Sequence, residues 1–221
     1  NNNNNNNTPN TSFKQQIAQP APPQPRSPSP VDNSMNVYYA GSGGGCFGPN
    51  SIIQVLENND NNDNNDNDSN NNNKVKNLCI SEVKAGQFVM VENGKFVEVK
   101  CLIEIYENED NINDFKQLVT LKGGLTLTGK HPIRINGEWK YPQTLSSNIV
   151  EWTTSKVVYN VVLESSHIMI VNGIECCTLG HGLKDPIVSH SYYGSQEVIN
   201  NLQKLNGWKD GFIRIEKSLR F

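Results

Sequence analysis

Apolar residues in this chain come in short runs, and most of the runs between residues 46 and 181 alternate with polar ones, broken every few positions by Gly, Asn or Pro. A period near two is the signature of half-buried strands. Residues 52–56 read as a first strand, and residues 75–80 alternate before a turn at 83–87 leads into 88–91. Asn93-Gly94 is the strongest short hairpin signal available, since both residues tolerate the left-handed backbone of a tight turn. Residues 96–106 make the long returning strand. Residues 118–121 face 125–127 across Gly123-Gly124, and 133–135 reach Trp139 through Asn136-Gly137. Residues 157–163 and 167–171 flank Glu164-Ser165-Ser166, and Asn172-Gly173 turns the chain into 174–179. No stretch before Gln196 has a helical period. The pattern predicts an all-β domain of many short strands and tight turns.

Past His181 the pattern changes. Residues 185–188 read as extended, and 195–205 as a helix capped by Ser195, with Val198, Ile199, Leu202 and Leu205 on one face and Asn206-Gly207 as its stop. Trp208 and residues 212–215 give an aromatic anchor and a last strand, so 182–221 is expected to form a C-terminal extension packed on the β domain, 46–181. Two stretches have no apolar pattern. Residues 1–45 are an Asn run, a Pro/Gln/Ser segment and a Gly run, which cannot bury enough apolar surface to offset ordering entropy, so a disordered tail is expected, extended around 20–30. Residues 57–74 are an Asn/Asp-rich insertion, expected as a solvated hairpin loop; a calcium loop would need a turn glycine and a closing glutamate that it lacks.

These stretches explain why only 35% of the 221 residues are hydrophobic. A net charge of −3 and a pI near 5.8 leave no footprint for nucleic acid or an anionic membrane. No apolar run reaches the roughly 18 residues of a spanning helix. No signal peptide is visible, which leaves open a longer precursor that begins upstream. Five cysteines (46, 79, 101, 176 and 177) are an odd number without paired spacing. That argues for reduced thiols and a cytoplasmic setting. Scattered histidines and the lack of a CxxC pair argue against a metal, and no cofactor is expected.

Candidate chemistry begins at Ser42-Gly43-Gly44-Gly45-Cys46-Phe47, where the glycine run meets a single cysteine and patterned sequence starts. A thiol can attack the carbonyl that acylates its own backbone nitrogen, which turns the peptide bond into a thioester and frees the amine. Glycine on the acyl side removes the Cβ that would hinder this. A linker that merely meets a small buried residue would leave the same run. The second stretch is Leu125-Thr126-Leu127-Thr128-Gly129-Lys130-His131-Pro132, a strand ending in Thr with His three residues on. An amide nitrogen is a poor leaving group, and histidine is suited to protonating it, with a Thr hydroxyl to fix the tautomer or bond the scissile carbonyl. An ordinary surface turn would also fit.

Together the stretches resemble the Hint family, the hedgehog C-terminal autoprocessing modules and inteins. Gly45-Cys46-Phe47-Gly48-Pro49 resembles the hedgehog cleavage junction. Residues 80–89 are similar to the next block, Leu127-Thr128-Gly129-Lys130-His131-Pro132 to the Thr-x-x-His block, and Val157-Val158-Tyr159-Asn160-Val161 through Val171-Asn172-Gly173-Ile174 to the late intein block. Thr178-Leu179-Gly180-His181-Gly182, Asp185-Pro186-Ile187-Val188, Tyr192-Tyr193-Gly194 and Gly207-Trp208-Lys209-Asp210-Gly211 look like the Vint branch, found beside von Willebrand A-type domains. The resemblance implies a disk of short strands with pseudo-twofold halves. It also implies single-turnover self-cleavage with Cys46 as nucleophile, Gly45 as acyl donor, His131 as general acid and Thr128 orienting or polarising. The upstream part of the same precursor would be the cargo, and water or a small molecule the acceptor. Inteins end in His-Asn, whereas this chain has Cys177-Thr178 there, so splicing is not expected. Cys176 or Cys177 would accept the acyl group or simply pack in the core. The alternative is a non-cleaving Hint-derived scaffold within a larger protein.

Overall fold

The computed structural model describes residues 45–57, 74–107, 116–147 and 150–217. The expected N-terminal tail up to residue 44 and the Asn/Asp run at 58–73 lie outside the described residues. What is described is all-β with one α-helix. The strands are β1 (Ile52–Leu56), β2 (Val75–Cys79), β3 (Phe88–Met90), β4 (Phe96–Glu107), β5 (Lys116–Leu121), β6 (Thr126–Thr128) and β7 (Ile133–Ile135). They continue as β8 (Glu138–Lys140), β9 (Val150–Ser155), β10 (Val157–Leu163), β11 (Ile168–Val171), β12 (Ile174–Cys177) and β13 (Phe212–Lys217), with α1 at Gln196–Leu202. Among the described residues, no helix is long and apolar enough to cross a membrane.

Eight strands form a continuous order β10-β4-β3-β1-β11-β12-β7-β8, with β2 on β1 and β13 on β4, and a smaller sheet runs β6-β5-β9. The Asn-Gly turns behave as their chemistry requires. Asn93 and Gly94 have φ of 62° and 68° between β3 and β4, and Asn172 and Gly173 have 47° and 78° between β11 and β12. β1 and β2 pair over five residues, from Ile52 opposite Cys79 to Leu56 opposite Val75, so the Asn/Asp run joins a hairpin.

Residues 46–48 stitch the two sheets together. Phe47 bonds Tyr159 of β10 in both directions (N–H to O 2.9 Å, O from N–H 2.8 Å), while Gly48 N–H donates to Thr126 O (2.7 Å) and Thr128 N–H to Cys46 O (2.9 Å) on β6. In such an extended segment successive side chains point to opposite faces. Phe47 therefore enters one core, with Ile53, Val89, Leu127, Val161 and Met169. Cys46 enters another, with Cys101, Leu118, Val158, Tyr192, Val198 and Leu202. Complete burial of the Phe47 ring is worth about 2–3 kcal/mol, which anchors the seam.

The second core is roofed by the C-terminal segment. Ser195 caps α1 by accepting the Glu197 N–H (3.3 Å), and Val198, Ile199 and Leu202 are buried on one face. β13 then runs parallel to β4, with Ile213 opposite Ile103. Arg214 stacks 4.2 Å from the Tyr106 ring and pairs with Glu104 (2.8 Å), which also accepts the Tyr159 hydroxyl (2.9 Å).

Two local expectations are corrected, and one strand is added. Residues 185–188 are a turn and not extended, because the Asp185 carboxylate accepts the Ile187 N–H (2.8 Å) and its carbonyl accepts from Val188 and Ser189 (3.1 and 2.7 Å). β9 has no counterpart in the sequence reading; it is an edge strand with Glu151, Thr153 and Thr154 exposed, so burial imposes no alternation on it. β2, expected to alternate, has Val75, Lys76 and Asn77 all exposed.

Candidate active site

β6 delivers Thr128 directly opposite Cys46. Its backbone N–H holds the Cys46 carbonyl, and its Oγ1 accepts the Cys46 N–H at 3.0 Å. The chain then turns through Gly129-Lys130, closed by the His131 N–H on Thr128 O (2.9 Å), before Pro132 leads into β7. This turn carries the imidazole of His131 inward, to 1% exposure. Thr128 and His131 thus reach the junction from one strand end and its turn.

The His131 ring touches the chain on both sides. Nε2 lies 2.9 Å from the Cys177 carbonyl. A carbonyl oxygen only accepts, so this contact puts the ring proton on Nε2 and leaves a lone pair on Nδ1. Nδ1 is buried and forms no well-shaped hydrogen bond among the described residues. It faces the junction: a Cβ added to Gly45 would stand 2.9 Å from His131 Cγ and 3.0 Å from Nδ1. Only glycine leaves the ring this close. The Phe47 ring packs on the other face, centroids 4.3 Å apart.

Burial sets the charge of this ring. Loss of solvent pulls the His131 pKa down to about 4, against smaller upward pulls from the backbone of Cys177 and Cys46; the neighbouring His181 adds to the depression. At neutral pH His131 is therefore a neutral base at Nδ1.

Asn160, in the middle of β10, donates from Nδ2 to Cys46 Sγ at 3.4 Å and is 1% exposed. The sequence reading gave it no role. The signal was there: one amide inside the run VVYNVVL, whose other central positions are buried and apolar, needs a buried partner.

The second pair of cysteines divides. Cys176 packs in the first core with its thiol pKa well above the ordinary value through burial. Cys177 offers its carbonyl to His131, while burial pushes its thiol up to about 12. All five cysteines are free thiols. A cavity of about 250 Å³ opens beside Gly45. His131, Asn160, Cys177, Thr178, residues 187–190 and Tyr193 are among the residues that line it.

A family model described as Vint, a Hint-domain, matches residues 45–220. Among solved structures, the gp41-1 intein is similar at 13% identity and a TM-score of 0.41, covering 61% of this chain and 99% of that one. A DnaB intein from Synechocystis sp. PCC 6803 is similar at 13% identity and a TM-score of 0.39, with coverage of 61% and 99%. An intein from a hyperthermophile has 14% identity, a TM-score of 0.39, and coverage of 61% and 100%. No curated protein matches the chain.

Proposed function

The chain belongs to the Vint family of Hint domains, an autoprocessing type of module, and from that footing we propose that it cleaves itself between Gly45 and Cys46. The observation that carries this reading is the setting of one peptide bond. The Cys46 nitrogen is held by Thr128 Oγ1 at 3.0 Å, and its acyl neighbour Gly45 lies against the lone-pair nitrogen of a buried, neutral His131. Cys46 Sγ attacks the Gly45 carbonyl carbon, and His131 Nδ1 takes the thiol proton. The resulting imidazolium passes that proton to the Cys46 nitrogen as the carbon–nitrogen bond breaks. His131 thus acts as base and then as acid, and ends neutral.

The side chains around the bond have separate tasks. Asn160 Nδ2 points a donor at Sγ and stabilises charge developing on sulfur. Thr128 keeps the nitrogen in register with the ring. Water or a small nucleophile then attacks the thioester and releases everything upstream of Cys46. Splicing is not part of this reading, because Cys177-Thr178 supplies no asparagine to cyclise.

Purified protein incubated with dithiothreitol or hydroxylamine tests the proposal by intact mass. Both reagents attack thioesters far faster than peptides, and a neutral pH keeps hydroxylamine from cleaving the Asn-Gly bonds of this chain. A fragment beginning at Cys46 is expected; persistence of the full-length mass would favour the non-cleaving scaffold.

A further inference from the structure

His181 and His190 have no part in the acyl shift, yet both line the cavity beside Gly45. Each ring is fixed in one tautomer by backbone amides. His181 Nδ1 accepts the Leu183 N–H at 3.0 Å, and His190 Nδ1 accepts those of Tyr192 and Tyr193 at 3.1 and 3.0 Å. An imidazole nitrogen that accepts cannot also carry the proton, so Nε2–H is the donor in both. The ring of His181 packs against Gly194, where a Cβ would stand 2.8 Å from its Cε1 and 3.1 Å from its Nε2.

Lys130, exposed in the turn before His131, adds a cation to the same lining, and among the described residues no carboxylate contributes. The acid of the neighbouring turn, Asp185, is outside the lining, with its carboxylate on the Ile187 N–H. Lys184 is near enough to His181 to disfavour a charge on it, as are His167 and His190. Within a lining that is otherwise mostly apolar, the two fixed imidazoles and the Lys130 cation therefore give the cavity beside Gly45 donors and a positive charge. At about 250 Å³ the space matches roughly eight waters and falls just below the usual range for drug-sized ligands.

Resting on the self-processing reading above, we propose that this cavity is the subsite for the nucleophile that resolves the thioester, and that it selects a small nucleophile carrying an anionic group. The anion sits on His181 and Lys130 while the nucleophilic atom reaches Gly45. With a thiol, the incoming thiolate sulfur bonds the Gly45 carbonyl carbon and the bond to Cys46 Sγ breaks with its electron pair on sulfur. Cys46 then takes the proton that the incoming thiol gave up. The upstream segment leaves as a thioester of the small thiol.

Three thiols of similar size separate charge from reactivity: 3-mercaptopropionate, 2-mercaptoethanol and cysteamine. Release rates of the upstream segment by the full chain are measured for each, per thiolate, and normalised to the rate on a free glycyl thioester. The anionic thiol is expected to exceed the neutral one by about tenfold and the cationic one to fall below it, with the spread shrinking in 1 M salt. Lys130→Met, at an exposed position, and His181→Phe should each reduce the preference, and His181→Gln should keep part of it. Equal normalised rates in the wild type, or a preference that both Lys130→Met and His181→Phe leave intact, would overturn the subsite. Release by none of the three thiols would overturn the self-processing reading and the subsite with it; release by 2-mercaptoethanol without charge preference sinks the subsite alone.

Discussion

The chain meets His131 twice, once at Gly45-Cys46 and once at the end of β12, at Cys177-Thr178. Both meetings bring a cysteine to the same imidazole. At Cys177 the contact is a carbonyl oxygen on Nε2, and the thiol is buried with its pKa pushed up to about 12. At Gly45-Cys46 the contact is Gly45 against the Nδ1 side, with a threonine on the Cys46 nitrogen and an amide donor on the sulfur. Proximity to the histidine is shared; the setting of the thiol is not. The second contact fixes the tautomer that makes the first one basic, so Cys177 serves the site through its backbone.

The largest effect that tests this contrast is removal of the attacking sulfur. In the self-processing reading Cys46→Ala abolishes cleavage, with no fragment by intact mass in dithiothreitol or hydroxylamine. Cleavage at the wild-type position in that variant would remove the thioester from the mechanism. Because Cys46 is buried in the second core, a melting curve should accompany the assay; a loss of about 1–2 kcal/mol is expected for a small core truncation.

Next comes the imidazole. His131→Gln should slow release about 10²–10⁴-fold, the usual scale for a positioned acid–base group. It should also change the pH dependence of stability. With a pKa near 4 in the folded chain against about 6.5 unfolded, the unfolded state binds the proton first as pH falls. His131 therefore imposes no penalty above about pH 6.5, and a growing one from there to about pH 4, with a ceiling of roughly 3 kcal/mol. His167, His181 and His190 are shifted in the same direction, so the variant should flatten the acid limb of a melting-versus-pH curve in part. An unchanged acid limb would mean that folding does not depress the pKa of the ring, and the burial effect argued for it would fail.

Much of the fold was legible because its strands are short, half-buried and closed by Asn-Gly turns, where local chemistry and global pairing agree. β9 was not, since a Thr-rich edge strand carries no burial pattern. Residues 185–188 misled because Asp185 caps a turn with its side chain, a local bond that the proline masked. At the site, Thr128 lies 82 residues from Cys46, a separation that no periodicity bridges; resemblance to a family brought the two blocks together. Burial could not be read at all. A His after a Gly-Lys turn looks like surface, and only the seam formed by Phe47 between β6 and β10 shows why the ring lies inside with its basic nitrogen toward the junction.

In the self-processing reading a smaller effect is expected from the groups that aim the thiol and the leaving nitrogen. Asn160→Ala removes the donor to Sγ, and Thr128→Ala the acceptor for the Cys46 N–H. One hydrogen bond to a positioned group is worth about 1–3 kcal/mol, or roughly 10-fold to 100-fold in rate for either variant. Single-turnover release followed by mass would measure both. If Asn160→Ala releases the upstream segment at the wild-type rate while folded, its contact with Sγ is packing and the contrast rests on Thr128 and His131 alone.

The smallest effect sharpens the comparison most. Cys177→Ala deletes a thiol that the fold buries and raises, and leaves in place the carbonyl that holds His131 Nε2. If Cys177 contributes only its backbone, release should stay within about threefold of wild type, with a stability loss of about 1 kcal/mol from the small cavity. If its sulfur accepts the acyl group from Cys46, the result is different. The thioester would still form, but its resolution would slow by orders of magnitude while dithiothreitol still released the fragment. Measuring spontaneous and thiol-induced release side by side separates these cases, because only the first depends on an internal acceptor. Loss of spontaneous release with intact thiol-induced release would make Cys177 a second nucleophile and end the division of labour drawn between the two cysteines. Retention of both keeps it, because the carbonyl that sets the histidine's tautomer belongs to the backbone, which alanine supplies equally well.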